Sequence, residues 1–299
     1  MSSIPNRITL ILLLLSSVWT GCTKLTELNL PESEPQLVLI AHPVFGQEMM
    51  ARIGVTSPLY RYDTSSLNPV ILLEGPNGFS ERLNKTSAGW KTSHVLPEYG
   101  WYNVSMSSEG FTTVSARTYI PQPVTLETGQ LFLKSDTSSA SVEGGNRIFR
   151  VPLMMMPKQP EQSDSLFSFK ITYSLIDKDE RITENKEARF IANGPVAAYL
   201  YEAPDKSVIV HKKYWKSTSG PLLADAVIPL NGALKERVLD ISVEWRTLSG
   251  DYYAYYLSLS RQADVLPFSS PDVLYNNVEN GAGSFSGYST LPQPYMWLL

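Results

Sequence analysis

Phe167-Ser168-Phe169-Lys170-Ile171-Thr172-Tyr173-Ser174-Leu175 carries an apolar residue at every odd position and a polar one at every even position. Leu239-Asp240-Ile241-Ser242-Val243-Glu244-Trp245-Arg246 alternates just as strictly. Side chains on a strand point to the two faces of a sheet in turn, so each stretch predicts a strand with one buried and one wet face. Antiparallel sandwiches show this pattern, whereas parallel strands between helical layers read as unbroken apolar runs. The fold class is therefore all-β.

Working outward, weaker strand signals lie at 147–154, 188–193, 196–202, 207–214 and 225–230. Upstream, 36–42, 50–56, 70–74, 99–107 and 111–120 form a separate group, with Val114, Ala116, Thr118 and Ile120 sharing one face of the last. Pro121-Gln122-Pro123 stops that group, because proline donates nothing to a sheet ladder. A stretch rich in Ser, Thr and Gly follows. The sequence thus predicts two β-sandwiches, 36–126 and 147–299, joined by a linker at 127–146. One segment breaks the period of two. In Ser249-Gly250-Asp251-Tyr252-Tyr253-Ala254-Tyr255-Tyr256-Leu257-Ser258-Leu259 the apolar spacing is helical, predicting a helix over about 250–262 with Asp251 as a capping residue.

The composition agrees with packed β domains. Hydrophobic residues make up 43% of the 299 and charged ones 18%, enough apolar surface for a sizeable core. A net charge of −4 argues against nucleic acid as a partner, since such partners are met by a basic field.

The N-terminus points to a compartment. Arg7 is followed by the apolar run Ile8–Leu15 and then by Thr20-Gly21-Cys22. A short basic start before an apolar stretch of this length makes a secretory signal over 1–21, too short to span a bilayer. Small residues directly before a cysteine resemble a bacterial lipobox. Cys22 is the only cysteine in the chain, so no disulfide competes for it, and it is the predicted lipidation site. Residues 22–35 then read as a polar tether. The expected location is the outer membrane, lipid-anchored, with the cell surface favoured over the periplasmic leaflet.

Three stretches resemble one family. Cys22-Thr23-Lys24 through Leu30-Pro31-Glu32 to Leu37-Val38-Leu39 looks like the entry of the Bacteroidota outer-membrane lipoprotein family of unknown function DUF4249. Tyr102 to Pro123 resembles the end of that family's first Ig-like domain. Asn277-Val278-Glu279-Asn280-Gly281-Ala282-Gly283-Ser284-Phe285-Ser286-Gly287-Tyr288 resembles its closing signature, with Asn280 where the family usually has Gly. The resemblance implies two β domains of Ig-like or carboxypeptidase-regulatory-like type. In this motif it marks Asn277, Glu279, Gly281, Gly283, Phe285 and Tyr288 as structural residues. It also implies frequent gene neighbourhood with TonB-dependent transporters, and no known activity.

No residue set identifies a reaction. The glycines at 281, 283 and 287 are spaced one residue too far apart for a dinucleotide fingerprint and lie outside any βαβ unit, so they read as a structural loop that permits positive φ. His42, His94 and His211 have no ligand-spaced neighbours, and no metal or cofactor is expected. Asp177, Asp179, Glu180 and Glu184 lack the glycine and terminal glutamate of a calcium loop and read as a hairpin tip. Tyr252, Tyr253, Tyr255 and Tyr256, with Trp215 and Trp245, either pack against the sheet or offer an aromatic surface to a partner or ligand. Asp164-Ser165-Leu166 matches an O-glycosylation sequon, making Ser165 a candidate modification site. The apolar end Tyr295–Leu299 either closes a sandwich or inserts into a partner.

The functional expectation is a non-enzymatic outer-membrane lipoprotein that binds or scaffolds beside a TonB-dependent transporter in nutrient uptake. The alternative is a surface adhesion or assembly lipoprotein with no transport role.

Overall fold

The computed structural model describes residues 34–56, 67–123, 141–143, 146–155, 166–191, 200–203, 205–211, 222–231, 235–263, 273–291 and 296–297. Cys22, Ser165 and Trp215 lie outside the described residues, as does most of the tether and linker. Every element below belongs to one compact unit, Pro35–Leu299.

The first half supplies β1 (Leu37–Ala41), β2 (Glu48–Val55), β3 (Val70–Glu74), β4 (Ser80–Arg82), β5 (Asn84–Thr86), β6 (Gly89–Val95), β7 (Gly100–Ser107) and β8 (Val114–Ile120). Then come β9 (Ser141–Glu143), β10 (Asn146–Met155), β11 (Leu166–Ile176), β12 (Ile182–Glu187), β13 (Arg189–Ile191), β14 (Leu200–Glu202), β15 (Val208–Val210), β16 (Leu222–Leu230) and β17 (Arg237–Leu248). Helix α1 (Gly250–Ala263) follows, and the chain closes with β18 (Val278–Glu279), β19 (Ala282–Phe285), β20 (Tyr288–Leu291) and β21 (Met296–Trp297). Among the described residues no helix is long and apolar enough to cross a membrane.

Two sheets, ordered β19-β1-β2-β6-β5 and β18-β8-β7-β3-β4, sandwich a core of Leu37, Leu39, Ile71, Leu73, Tyr102, Val104 and Phe285. In β8 the inward residues are Val114, Ala116, Thr118 and Ile120, as the period of two predicts. Strands β4, β5 and β6 carry too many polar residues to announce themselves in the sequence. In β6 only Trp90 and Thr92 are buried.

A second pair of sheets, β13-β16-β10-β9 and β14-β15-β11-β17-β20, encloses Phe167, Phe169, Ile171, Tyr173, Ala226, Ile228, Val243 and Trp245. The two alternating stretches that decide the fold class are direct neighbours. They form β11 and β17, paired antiparallel from Leu166↔Leu248 to Ile176↔Arg237 with one irregularity after Ser174. The fold is mostly β with several antiparallel sheets in sandwich-like layers and one short helix near the C-terminus.

Two expectations need correction. The closing segment of the chain does not stay with the second sandwich. β18 pairs antiparallel with β8, and β19 pairs parallel with β1 over Val38↔Ala282 to Ala41↔Phe285. Sheet membership therefore carries part of 147–299 into the first sandwich, whose edges leave unpaired N–H and C=O groups for such strands to use. Nor is the polar face of β11 and β17 wet along its whole length. Ser168 and Arg246 are buried, because α1 and β14–β15 lie near this end of the sheet, and Ser174 is buried at the other end.

Candidate functional site

Residues 277–288 act as a clasp, built mainly from backbone. Gly283 adopts φ +126°, a conformation that favours glycine, and a Cβ there would lie 2.0 Å from the Leu39 carbonyl oxygen. A Cβ on Gly281 would lie 2.6 Å from the Leu37 carbonyl oxygen. Of the motif's three glycines only Gly283 needs positive φ; Gly281 and Gly287 permit close approach of two backbones instead. Asn280, where the resembled motif has Gly, sits at φ 58°, and Asn is among the side chains that best tolerate that region. The Asn277 side-chain amide donates to the Phe285 carbonyl at 2.8 Å, and its oxygen accepts from the Phe285 N–H at 2.9 Å. Phe285 is thereby fixed in the first core. Ser115 donates to Glu279 at 3.2 Å, and Tyr288 packs beside the tyrosines of α1.

Helix α1 is held from its first turn. Ser249, not Asp251, supplies the cap: its Oγ accepts from the Tyr252 N–H at 3.0 Å. Asp251 instead accepts from the Tyr275 hydroxyl at 2.6 Å and the Thr118 hydroxyl at 3.2 Å. Thr118 Oγ1 accepts in turn from the Gly287 N–H at 3.0 Å. The first sandwich, the helix and the clasp thus share one chain of hydrogen bonds.

At the centre stands His42, at the end of β1. Its Nδ1 lies 2.9 Å from the Ser286 hydroxyl and 3.3 Å from the Ser286 carbonyl, and its Nε2 lies 3.2 Å from the Tyr256 hydroxyl. A carbonyl only accepts, so the Ser286 side of the ring carries the proton and Nε2 accepts from Tyr256. Burial dominates the titration. It pulls the imidazole down to about 4, against the Ser286 carbonyl and Asp205, which both favour the charged form. The ring is neutral at pH 7.

Arg246 is the charge of the site. It donates through Nη1 to Asp205 at 2.6 Å and to the Tyr252 hydroxyl at 3.3 Å, and through Nε to Glu244 at 2.5 Å. Its guanidinium carbon lies 4.9 Å from the Tyr288 ring centre. Burial works against this cation, but the surrounding oxygens and carboxylates outweigh it and raise its pKa. Burial likewise penalises the Asp205 carboxylate, yet Arg246 and the Ser207 donors hold it below the usual range. Tyr252 and Tyr256 stack at 4.4 Å, and burial raises both hydroxyls, Tyr256 to about 12.

The four helix tyrosines are all inside: Tyr252 is 1% exposed and none exceeds 8%. They pack, so as a group they offer no open aromatic face to a ligand. Trp245 is buried as well. The 177–181 segment is an exposed turn in which Asp177 accepts from the N–H groups of Asp179 and Arg181. His94 lies 3.4 Å from Glu81, and His211 packs near Tyr201 and Tyr253. Among the described residues no three His, Cys, Asp or Glu side chains gather into a metal-holding group. An open groove of about 750 Å³ runs beside α1 between Leu166, Tyr253, Leu257 and Leu274.

His42, Asp205, Arg246 and Ser286 have no sequence spacing that would reveal them as partners. One signal was available. A helix with tyrosines at 252, 253, 255 and 256 is apolar around most of its girth, and such a helix is buried on more than one side.

The geometry defines a class: β-sandwiches joined by a helix and a closing clasp through a buried polar joint. The family model described as "Domain of unknown function (DUF4249)" matches residues 23–293, and the chain belongs to that family. No curated protein matches. Among solved structures, similarity extends to a DUF4785 family protein from Legionella pneumophila, at 12% identity and TM-score 0.20, covering 69% of this chain and 51% of that one. A β-glucuronidase from Parabacteroides merdae shows 16% identity and TM-score 0.21, covering 72% of this chain and 23% of that one. BcpA, the major pilin subunit of Bacillus cereus, shows 10% identity and TM-score 0.16, with 72% and 64% covered. The chain spans about half, a quarter and two thirds of these three, and scores so low bear on neither fold nor function.

Proposed function

We propose that this protein is a non-catalytic outer-membrane lipoprotein, anchored through Cys22, which serves a TonB-dependent transporter as a rigid binding or scaffolding accessory. The observation that carries the reading is the use made of the central ionisable groups. Both ring nitrogens of His42 are occupied by Ser286 and Tyr256, and the Arg246 guanidinium is occupied by Asp205, Glu244 and Tyr252. These bonds tie the clasp, the helix and β17 to one another, so both groups serve the molecule's own assembly. The lipobox-like Thr20-Gly21-Cys22 and the polar residues after it support membrane anchoring, since acyl chains contribute about 0.8 kcal/mol per buried methylene.

The test is a gentle-detergent pull-down of the lipidated protein from outer membranes, read by mass spectrometry. Stoichiometric recovery of a β-barrel transporter is the expected result, together with impaired uptake of one nutrient on gene deletion. Recovery of the lipoprotein alone, with growth unchanged on every nutrient tried, overturns the transport role and leaves a free-standing adhesion or assembly protein. Mass spectrometry of the N-terminal peptide checks acylation of Cys22.

A further inference from the structure

The aromatic face that α1 does not offer exists elsewhere. On the outer surface of the β18-β8-β7-β3-β4 sheet, Trp101 is 50% exposed and its cross-strand partner Tyr119 is 39% exposed. Their rings meet edge to face at 5.3 Å. The Arg117 guanidinium lies over the Trp101 ring, 4.2 Å from its centre. Asn103 stands opposite Arg117, and Ser105 opposite Ser115, all on this outward face.

Three properties narrow the ligand. First, Arg117 is exposed, and no carboxylate among the described residues lies within ion-pairing distance of it. Stacking on an indole orients a guanidinium while leaving its in-plane N–H donors available for a planar carboxylate. Second, Trp101 and Tyr119 supply aromatic surface of the kind that packs against apolar C–H groups. Third, the apolar area is small. Val70, the next exposed hydrophobic residue on this sheet, pairs with Ser107, about 20 Å along β7 from Trp101 at the usual strand rise. A stable protein interface needs about 800 Å² per partner around an apolar core, which one pair of adjoining rings does not provide.

We propose that this face is a carbohydrate site for uronic-acid glycans, in which a pyranose ring packs on Trp101 and Tyr119 while its carboxylate pairs with Arg117 and Asn103 donates to a hydroxyl. The site extends the binding reading above by naming a ligand class. Its readout is separate from barrel co-purification, so either result can fail without the other.

The test uses the full chain in detergent, titrated calorimetrically with oligogalacturonate, alginate oligomers and hyaluronan oligomers. Fully methyl-esterified oligogalacturonate and polyglutamate serve as controls. At least one uronic-acid glycan is expected to bind, with the esterified form about tenfold or more weaker, because a methyl ester presents no anion to Arg117. Trp101→Ala and Arg117→Ala are each expected to abolish binding. Arg117→Lys, which keeps the charge and loses the planar fork, is expected to weaken it about tenfold. Both positions are exposed, and unchanged circular dichroism in all three variants will confirm folding. Binding that ignores esterification or survives Trp101→Ala overturns the proposal. So does equal affinity for polyglutamate, which would make the patch an acidic-peptide site, and so does failure of all three glycans to bind.

Discussion

The two faces of the β11–β17 pair are built from the same strands and stabilised by opposite means. Toward β16 and β13 the face is apolar: Phe167, Phe169, Ile171, Val243 and Trp245 pack with Ala226, Ile228 and Phe190. Toward α1 the face carries Ser168 and Arg246 under a layer of tyrosines, and every charge there needs a partner. The first face tolerates change by degrees, since each methylene contributes a small and separable amount. The second is all-or-none, because removing one partner strands another in a dry place. The difference suggests that hydrophobic burial makes these sandwiches while the polar joint fixes how they are clasped.

The comparison breaks most completely if the clasp cannot form, since the polar face is interior only while α1 and residues 286–288 cover it. Gly283→Val puts a branched Cβ where the Leu39 carbonyl oxygen already lies, at a φ that valine rarely adopts. A loss of more than about 4 kcal/mol is expected, with separation of β19 from β1. Chemical denaturation together with amide exchange at Val38–Ala41 measures both. Protection of those amides equal to wild type would show that the parallel pairing is dispensable.

Asp205→Ala comes next. It leaves Arg246 buried with only Glu244, whose side chain is 42% exposed, for a carboxylate partner. The expected cost is about 3 kcal/mol, at the lower end for a stranded buried charge because Glu244 remains. Adding Arg246→Met should recover most of it. A double-mutant cycle between 205 and 246 reads the coupling, and additive losses would mean that the pair is not a unit.

Acid acts on the polar face alone. His42 has its pKa lowered to about 4 in the folded protein against about 6.5 unfolded. The unfolded chain therefore takes up the proton first, and stability falls as pH drops from 6.5 toward 4, by up to about 3 kcal/mol. Asp205, held below its usual value, loses its contribution only at lower pH still. Thermal denaturation between pH 7 and 4 should show the decline in wild type and a flatter profile in His42→Gln. Parallel profiles would place the acid sensitivity elsewhere.

These effects also mark what could be read in advance. The apolar face was legible residue by residue, because Phe167 to Leu175 and Leu239 to Arg246 obey a local period that burial enforces. The clasp was legible as a motif but not as a place: nothing local says that Gly283 will lie against Leu39, 244 positions earlier. The joint was least legible. His42 meets Ser286 and Tyr256, and Arg246 meets Asp205, only because separate strands and one helix converge. An arginine at an even position of an alternating strand reads as solvated until the helix above it is placed. The tyrosine run of 252–256 has the conspicuous spacing, yet its rings are buried. The exposed Trp101–Tyr119 pair is instead made by strand register, and register is not a local property.

The smallest effect is also the sharpest discriminator between the faces. Trimming the apolar face by one methylene with Ile171→Val should cost about 1 kcal/mol, the usual loss for a buried isoleucine. On the other face, Ser168 is fully buried and its hydroxyl has no hydrogen-bond partner among the described residues. A buried hydroxyl without a partner opposes folding by the hydration it gives up, so Ser168→Ala removes a cost and little packing. A gain of about 0.5–1 kcal/mol is expected, measured by denaturant titration at constant slope. Opposite signs at positions 171 and 168, three residues apart on one strand, would show that the faces obey different rules. A loss at Ser168 equal to that at Ile171 would mean that its hydroxyl is bonded in solution, and the polar face would then be satisfied throughout.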